Sequence, residues 1–204
     1  MIISQDVESN SSTILDAAFG EYDGFAPTSK FIVDTVSKNS SPEYVALAAY
    51  LVFGTWTSGA IVFPESITPE LASAMEEDSA PVRIRPQGIN LVPKRVKLGD
   101  HGLFVNLNGG SPPADCLEVE ILPFGFNEGF LRKSGHLQVS SNAFMFSGVL
   151  DRKYCYRPII AAALLANADL HLGRIYLSAD IEQQEFISLH ELLQATGIEL
   201  IRVS

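Results

Sequence analysis

Residues 173–203, GRIYLSADIEQQEFISLHELLQATGIELIRV, decide the fold of this chain. The segment from Gly173 to Ser178 is rich in the branched and aromatic residues that favour a β-strand. Asp180 then caps a helix, which Gly197 ends because glycine accepts the backbone conformation found at a helix C-terminus. Ile198 to Val203 is predicted to be a closing strand. Strand, helix and strand in this order predict a parallel sheet of the α/β class.

A further strand and helix are predicted just upstream. The run Ala143-Phe144-Met145-Phe146 is apolar and short, as expected of a buried strand. Pro158 opens an apolar helix that extends to about Asn167, because proline suits the first position of a helix. Residues 143–204 are therefore predicted to form a strand-helix-strand-helix-strand unit in a three-layer, parallel-sheet arrangement.

The preceding part of the chain predicts a mixture of helices and strands. Pro42 opens a helix that extends to Phe53 and is apolar almost all the way round, so we expect it to be buried. Thr68 and Pro69 mark the start of another helix. From Val82 to about Gln138, short alternating segments separated by proline and glycine predict a β-rich middle.

These patterns predict three regions. Residues 1–26 are acidic and polar, with Ser9 to Ser12 of low complexity, and are expected to form a mobile arm. Residues 27–140 are expected to form an α+β domain. Residues 141–204 are expected to form an α/β half domain packed on it.

Composition limits the classes of function. The net charge is −10, so the molecule as a whole repels bare nucleic acid, and no direct DNA binding is expected. No apolar run approaches the roughly 20 residues that cross a bilayer, and no basic region followed by an apolar stretch marks a signal peptide, so we expect none. Two cysteines are too few for a disulfide framework. We therefore expect a cytoplasmic protein that does not enter a membrane.

The charges are unevenly distributed along the chain. No lysine or arginine precedes Lys30, whereas several acids do: Asp6, Glu8, Asp16, Glu21 and Asp23. A basic segment follows later, made of Arg83, Arg85, Lys94, Arg95 and Lys97. The two segments either pack together or face water, as most charge runs do, or they form a surface for an anion or a partner.

The loop that follows Phe146 is the first candidate site. In an open parallel sheet, ligands bind beyond the carboxyl ends of the strands. This loop runs Ser147-Gly148-Val149-Leu150-Asp151-Arg152-Lys153, and Arg157 comes just before the predicted helix. Arg152, Lys153 and Arg157 lie ahead of a helix N-terminus, where free N–H groups favour an anion. The alternative is that these cations pair with acids such as Asp151 or Asp169.

The same loop resembles the signature loop of the PP-loop ATP pyrophosphatases, whose motif is Ser-Gly-Gly-x-Asp-Ser. Ser147, Gly148 and Asp151 match this motif, whereas Val149 stands at the second glycine and Arg152 at the final serine. The resemblance covers residues 143–204 and implies that the loop binds the phosphates of ATP or another nucleotide. The two departures imply a degenerate site that lacks full adenylating activity.

Other chemistries find less support in the sequence. Glu118 and Glu120 share one face of a predicted strand, which suits either a metal-dependent hydrolase or an ordinary solvated face. The four histidines are scattered, and no pair has the spacing of ligands on a helix. Cys116 and Cys155 have no neighbouring thiol. We predict no metal site and name no catalytic residue.

Two functions follow from these observations. The first is nucleotide or phosphate binding through Ser147, Gly148, Asp151, Arg152, Lys153 and Arg157. The second is a non-catalytic assembly or regulatory module, which docks a protein partner or associates with itself through the exposed edge of its last strand. Whether the chain is an enzyme stays open.

Overall fold

Strands and helices alternate along most of the chain. The computed structural model describes residues 1–8, 12–35, 41–92, 99–107, 110–124, 129–151, 154–168, 170–177 and 181–203. The strands are β1 (Ile2–Glu8), β2 (Ser12–Ala18), β3 (Lys30–Asp34), β4 (Ala60–Ile67), β5 (Arg85–Ile89), β6 (His101–Val105), β7 (Cys116–Pro123), β8 (Phe130–Lys133), β9 (His136–Ser141), β10 (Leu172–Leu177) and β11 (Glu199–Arg202). The helices are α1 (Pro42–Phe53), α2 (Pro69–Asp78), α3 (Ala143–Ser147), α4 (Arg157–Ala166) and α5 (Gln183–Gln194), and a short 3-10 helix, Gly54–Trp56, follows α1.

The described strands form one mixed sheet in the order β11-β10-β6-β7-β9-β3-β2-β1-β4-β5, with β8 paired beside β9. Strands β11, β10, β6, β7 and β9 are all parallel to one another. In chain order these five strands are β6, β7, β9, β10 and β11. The chain therefore places β7 and β9 on one side of β6 first, and then β10 and β11 on its other side. The predicted α/β class is confirmed.

The sheet curves around two helices that are buried on every side. All residues of α1 from Tyr44 onward are buried, and so is every residue of α4. Helix α2 packs on β5, and α5 packs on β11. These two strands lie at opposite ends of the sheet order, yet α2 and α5 also pack on each other. The two ends of the sheet must therefore approach each other, so that α2 and α5 complete the enclosure of α1 and α4.

The predicted order of strands and helices is present, but the first strand lies elsewhere, and the described helices share one core on one face of the sheet instead of forming the predicted three layers. Residues 143–147 form α3, and the strand that begins the unit is β9, just upstream. Asn142 ends β9, since its side chain accepts a bond from Ile32 N–H (2.9 Å) and donates to the Lys30 carbonyl (2.8 Å). Ala143 and Phe146 are then buried one helical turn apart. A short apolar run does not by itself distinguish a strand from a turn of helix.

The strands β10 and β11 and the helix α5 between them agree with the prediction. Arg174 to Leu177 of β10 pair in parallel with Glu199 to Arg202 of β11. The predicted cap, Asp180, lies outside the described residues.

The N-terminal segment is not the mobile arm that was predicted. Residues 2–8 and 12–18 form the antiparallel strands β1 and β2, and β2 also pairs with β3. Ile3, Leu15 and Ala17 face the core with the period of two that a strand requires, while Asp6 is exposed and Asp16 is partly exposed. The boundary predicted after residue 140 falls inside β9.

Candidate functional site

The parallel strands β6, β7, β9, β10 and β11 all end at one edge of the sheet, which we call the carboxyl edge. Helix α4 returns the chain from β9 to β10, and α5 leaves from β10, so both helices begin at this edge. The carboxyl edge is where open α/β sheets bind ligands, and the favoured position is where the chain order reverses. Here that reversal lies between β6 and β10.

The predicted loop lies at the carboxyl edge, but its described residues do not form an anion cradle. Gly148 has φ −70° and ψ −17°, a helical conformation open to any residue. The Ser147 hydroxyl is buried and has no hydrogen-bond partner among the described residues. Val149 and Asp151 are exposed, with 63% of Val149 accessible. Arg152 and Lys153 lie outside the described residues, as does Asp169, the alternative partner.

Of the predicted site residues that the structure describes, Arg157 is the one with extensive contacts. Its Nη1 donates to Asp78 Oδ2 (2.7 Å) and its Nη2 to Asp78 Oδ1 (2.8 Å), so the two residues form a bidentate ion pair. Its Nε donates to Glu185 Oε1 at 2.9 Å and its Nη2 to Glu185 Oε2 at 3.1 Å. The residue is only 4% exposed. The predicted alternative of pairing with acids describes this geometry better, although the acids are Asp78 and Glu185.

Neighbouring side chains complete the network around Arg157. Tyr50 donates to Asp78 Oδ2 (2.5 Å), and Ser188 accepts from Arg157 Nη2 (2.9 Å) and donates to Asp78. The guanidinium also lies 4.5 Å from the centre of the Tyr154 ring, within the range of a cation–π contact. The network joins the end of α1, the end of α2 and the first turns of α4 and α5.

The pKa values of the network follow from burial and pairing. Burial alone would raise the pKa of Asp78, but the Arg157 guanidinium, Ser188 and Tyr50 outweigh it and hold that pKa below its ordinary value. Burial alone would lower the pKa of Arg157, but Asp78 and Glu185 outweigh it and raise that pKa. Burial and the charge of Asp78 raise the pKa of Tyr50. Asp78 and Arg157 therefore stay charged at neutral pH, and Tyr50 stays neutral.

Two cavities flank this network. One of about 390 Å³ is bordered by the first turns of α5 and the end of α2, and one of about 250 Å³ by the 3-10 helix and residues 78–84. Five carboxylates and one guanidinium line the larger cavity: Glu77, Asp78, Glu182, Glu185, Glu191 and Arg157. This excess of negative charge disfavours a phosphate at that position.

The pair Glu118 and Glu120 lies on the face of the sheet turned away from the helices. His136 of the adjacent strand lies between them, with Nδ1 3.1 Å from Glu118 Oε2 and Nε2 3.7 Å from Glu120 Oε2. The two ring nitrogens thus face different carboxylates instead of converging on one point. Within the described ranges, no group of three or more acidic, histidine or cysteine side chains is placed to hold a metal ion.

Sequence reasoning missed the observed partners of Arg157, for which it offered Asp151 and Asp169, and it missed the neighbour of Glu118. Asp78 and Glu185 are far from Arg157 along the chain, and His136 meets Glu118 only because β7 and β9 pair in parallel. The apolar character of α4 offered a signal, because an arginine at the start of a wholly buried helix requires a buried acid.

Comparisons with family models, with curated proteins and with solved structures find no match to this chain. None of the helices in the described ranges is long and apolar enough to cross a membrane.

Proposed function

We propose that this chain is a nucleotide- or phosphate-binding protein of the PP-loop-like kind, without full adenylating activity. The observation that carries the proposal is the spatial order β9-β7-β6-β10-β11 of five parallel strands. Open α/β sheets bind ligands beyond the carboxyl ends of such strands, and the proposed loop follows β9 at this edge, although the reversal of chain order lies further along the sheet, between β6 and β10.

The charges of the carboxyl edge lead us to limit the proposed binding site to part of the predicted loop. Arg157 already donates to two carboxylates, so we assign it a structural role and leave Ser147, Gly148, Asp151, Arg152 and Lys153 as the ligand-binding loop. Arg152 and Lys153 are the cations of that loop. Binding of a phosphate near the acidic residues of α5 depends on their positive charge.

Calorimetric titration with ATP and with AMP tests this proposal. We expect wild type to bind at least one of them, and the double variant Arg152→Ala/Lys153→Ala to bind about tenfold more weakly, since each lost charged hydrogen bond is worth about 1.5–3 kcal/mol before solvent screening. The matched control is Arg132→Ala/Lys133→Ala, which removes the same charge from β8, next to the start of β9. No heat at millimolar nucleotide, or equal weakening by both double variants, refutes nucleotide binding by this loop.

A second candidate function is a non-catalytic module that docks a protein. The edge strand β11 gives it little support, because the strand has only four residues and its Arg202 donates to the Ile181 carbonyl (2.8 Å) while Glu199 pairs with Arg174. The observation that favours docking is different: Tyr22 and Phe25 are 81% and 95% exposed.

A further inference from the structure

The amino group of Met1 lies in a site with little access to water. The Met1 ammonium donates to the Ala60 carbonyl (2.8 Å) and pairs with Asp23 Oδ2 (3.1 Å). The side chains of Met1 and Asp23 are 0% and 2% exposed, and Met1 Sδ accepts from Thr57 Oγ1 (3.3 Å). Water screens such a pair weakly, so each charge depends on the other.

Asp23 connects this positive charge to the loop of residues 20–25, which we call the anchored loop. The Asp23 carboxylate accepts from Gly20 N–H (2.7 Å) and Ser58 N–H (2.8 Å) in addition to the Met1 ammonium. Of these three donors, only the ammonium carries a charge. Burial acts to raise the pKa of Asp23, but the bonds from Ser58 and Gly20 and the ammonium lower it overall, so this carboxylate is charged at neutral pH.

Two further bonds attach the anchored loop to the segment that follows α1. Ser58 Oγ donates to the Tyr22 carbonyl (2.6 Å), and Gly24 N–H donates to the Trp56 carbonyl (2.7 Å). Ser58 is also one of the residues that donate to Asp23. The position of the anchored loop therefore depends on Asp23 and on the positive charge beside it.

The charge of the Met1 amine can be removed by a covalent change. Transfer of an acyl group from a thioester to this amine forms an amide bond, releases a thiol and one proton, and leaves the nitrogen uncharged. Asp23 then keeps its negative charge in a site with little access to water, but it has lost its positive partner. A buried carboxylate without such a partner is strongly unfavourable, so the site must open and admit water.

We propose that the α-amino group of Met1 is a switch for the anchored loop, which stays in place while this amine is free and is released when the amine is acylated. The loop carries Tyr22 and Phe25, which are 81% and 95% exposed. Acylation therefore changes the surface that these two aromatic side chains present. The proposal is independent of nucleotide binding and of protein docking.

Hydrogen exchange tests the proposal on two forms of the chain, one with a free Met1 amine and one acetylated at that amine, each identified by mass spectrometry. Acetylation should speed exchange of the Gly20 and Ser58 amides at least about tenfold, the effect expected when a bond to a charged group is lost. The fluorescence of Trp56, the single tryptophan of the chain, should change as well, because this residue bonds to the anchored loop. Equal exchange in the two forms overturns the proposal.

The variant Asp23→Asn separates the loss of charge from the added bulk of the acetyl group. Asparagine has nearly the size of aspartate but no charge, so acetylation should have little further effect on this variant. The matched control is Asp16→Asn, which removes the same charge from a partly exposed pair with Lys30 (3.9 Å), and acetylation should act on it as on wild type. Acetylation that acts on Asp23→Asn as strongly as on wild type overturns the proposal. An acetylated wild type that unfolds supports the proposal if acetylated Asp23→Asn stays folded, and overturns it otherwise.

Discussion

Arg157 shows how one buried charge can hold several helices together. Removing the Arg157 guanidinium from water is costly. The cost is offset here by a bidentate ion pair with Asp78 and a second ion pair with Glu185. Replacing one partner leaves the others charged in a site with little access to water. The network is therefore more sensitive to the loss of one member than an exposed ion pair is.

We predict that Arg157→Ala lowers the free energy of unfolding by about 3–5 kcal/mol, the usual effect of breaking a buried pair. Urea unfolding at pH 7 measures this. Arg174→Ala is the control, since Arg174 and Glu199 pair at 3.6 Å with side chains that are 60% and 57% exposed. That change should cost no more than about 1 kcal/mol. Equal urea midpoints for Arg157→Ala and wild type would contradict the structural role.

Thr13 offers a prediction of the opposite sign. Its side chain is fully buried in β2, and its hydroxyl has no hydrogen-bond partner among the described residues. Thr13→Val keeps the shape and removes the unpaired group, so we expect stability to rise by about 1 kcal/mol. Thr68→Val is the comparison, because the Thr68 hydroxyl caps α2 by accepting from Leu71 N–H at 3.4 Å, and its loss should destabilise by about 1 kcal/mol. Destabilisation by both changes would contradict the claim that the buried Thr13 hydroxyl is unpaired.

At the level of elements, Asn142 joins strands that make few bonds of their own. Strands β3 and β9 share only the pair Val33 and Ser141 in register. The Asn142 side chain adds two bonds to β3, through Ile32 N–H and the Lys30 carbonyl, and its backbone N–H donates to the Ile32 carbonyl (3.3 Å). The end of β9 is thus attached to β3 mainly by side chains.

Asn142→Ala should therefore loosen the junction between β3 and β9. We expect a loss of about 1–2 kcal/mol, because two partly buried backbone groups lose their partner, together with faster hydrogen exchange at the Ile32 amide. Asn90→Ala is the control, since the Asn90 side chain accepts an exposed bond from Val92 N–H (3.0 Å) and bonds to no other described residue. Unchanged exchange at Ile32 would show that other bonds hold the junction.

Some elements of the fold could be predicted from the sequence, and others could not. The starts of α1 and α2 were predictable because Pro42, Thr68 and Pro69 carry local signals. Residues 143–147 were not, because the bonds of Asn142 to β3 connect positions about 110 residues apart. The candidate site could not be predicted for the same reason. The partners of Arg157 depend on how four helices converge, and no local sequence pattern determines that arrangement.

At the level of the whole molecule, two buried carboxylates make stability depend on pH. Burial acts to raise the pKa of Asp23, but bonds from Ser58 and Gly20 and the Met1 ammonium outweigh it and lower that pKa; the pKa of Asp78 is lowered too. Both groups stay charged to a lower pH in the folded chain than in the unfolded one. Their stabilising effect is present above the unfolded pKa of about 4 and is lost as pH falls through the folded values.

We therefore predict that the urea midpoint falls steeply below about pH 4. Between pH 7 and pH 5 it should change little or rise, because protonating exposed acids reduces the repulsion of a chain with net charge −10. Measuring the midpoint at pH 7, 5 and 3 tests both statements, and Asp23→Asn should reduce the fall between pH 5 and 3. A midpoint at pH 3 equal to that at pH 7 would contradict the prediction.

The enclosure of α1 and α4 limits how the chain can be divided. The helices pack on each other, yet α1 precedes residue 140 and α4 follows it. A polypeptide cut at that point would carry one of these helices with an entire side uncovered, and such an apolar surface promotes aggregation. The two pieces should remain insoluble when produced separately and recover a native fold only when refolded together, so a cut after residue 140 does not release a working half.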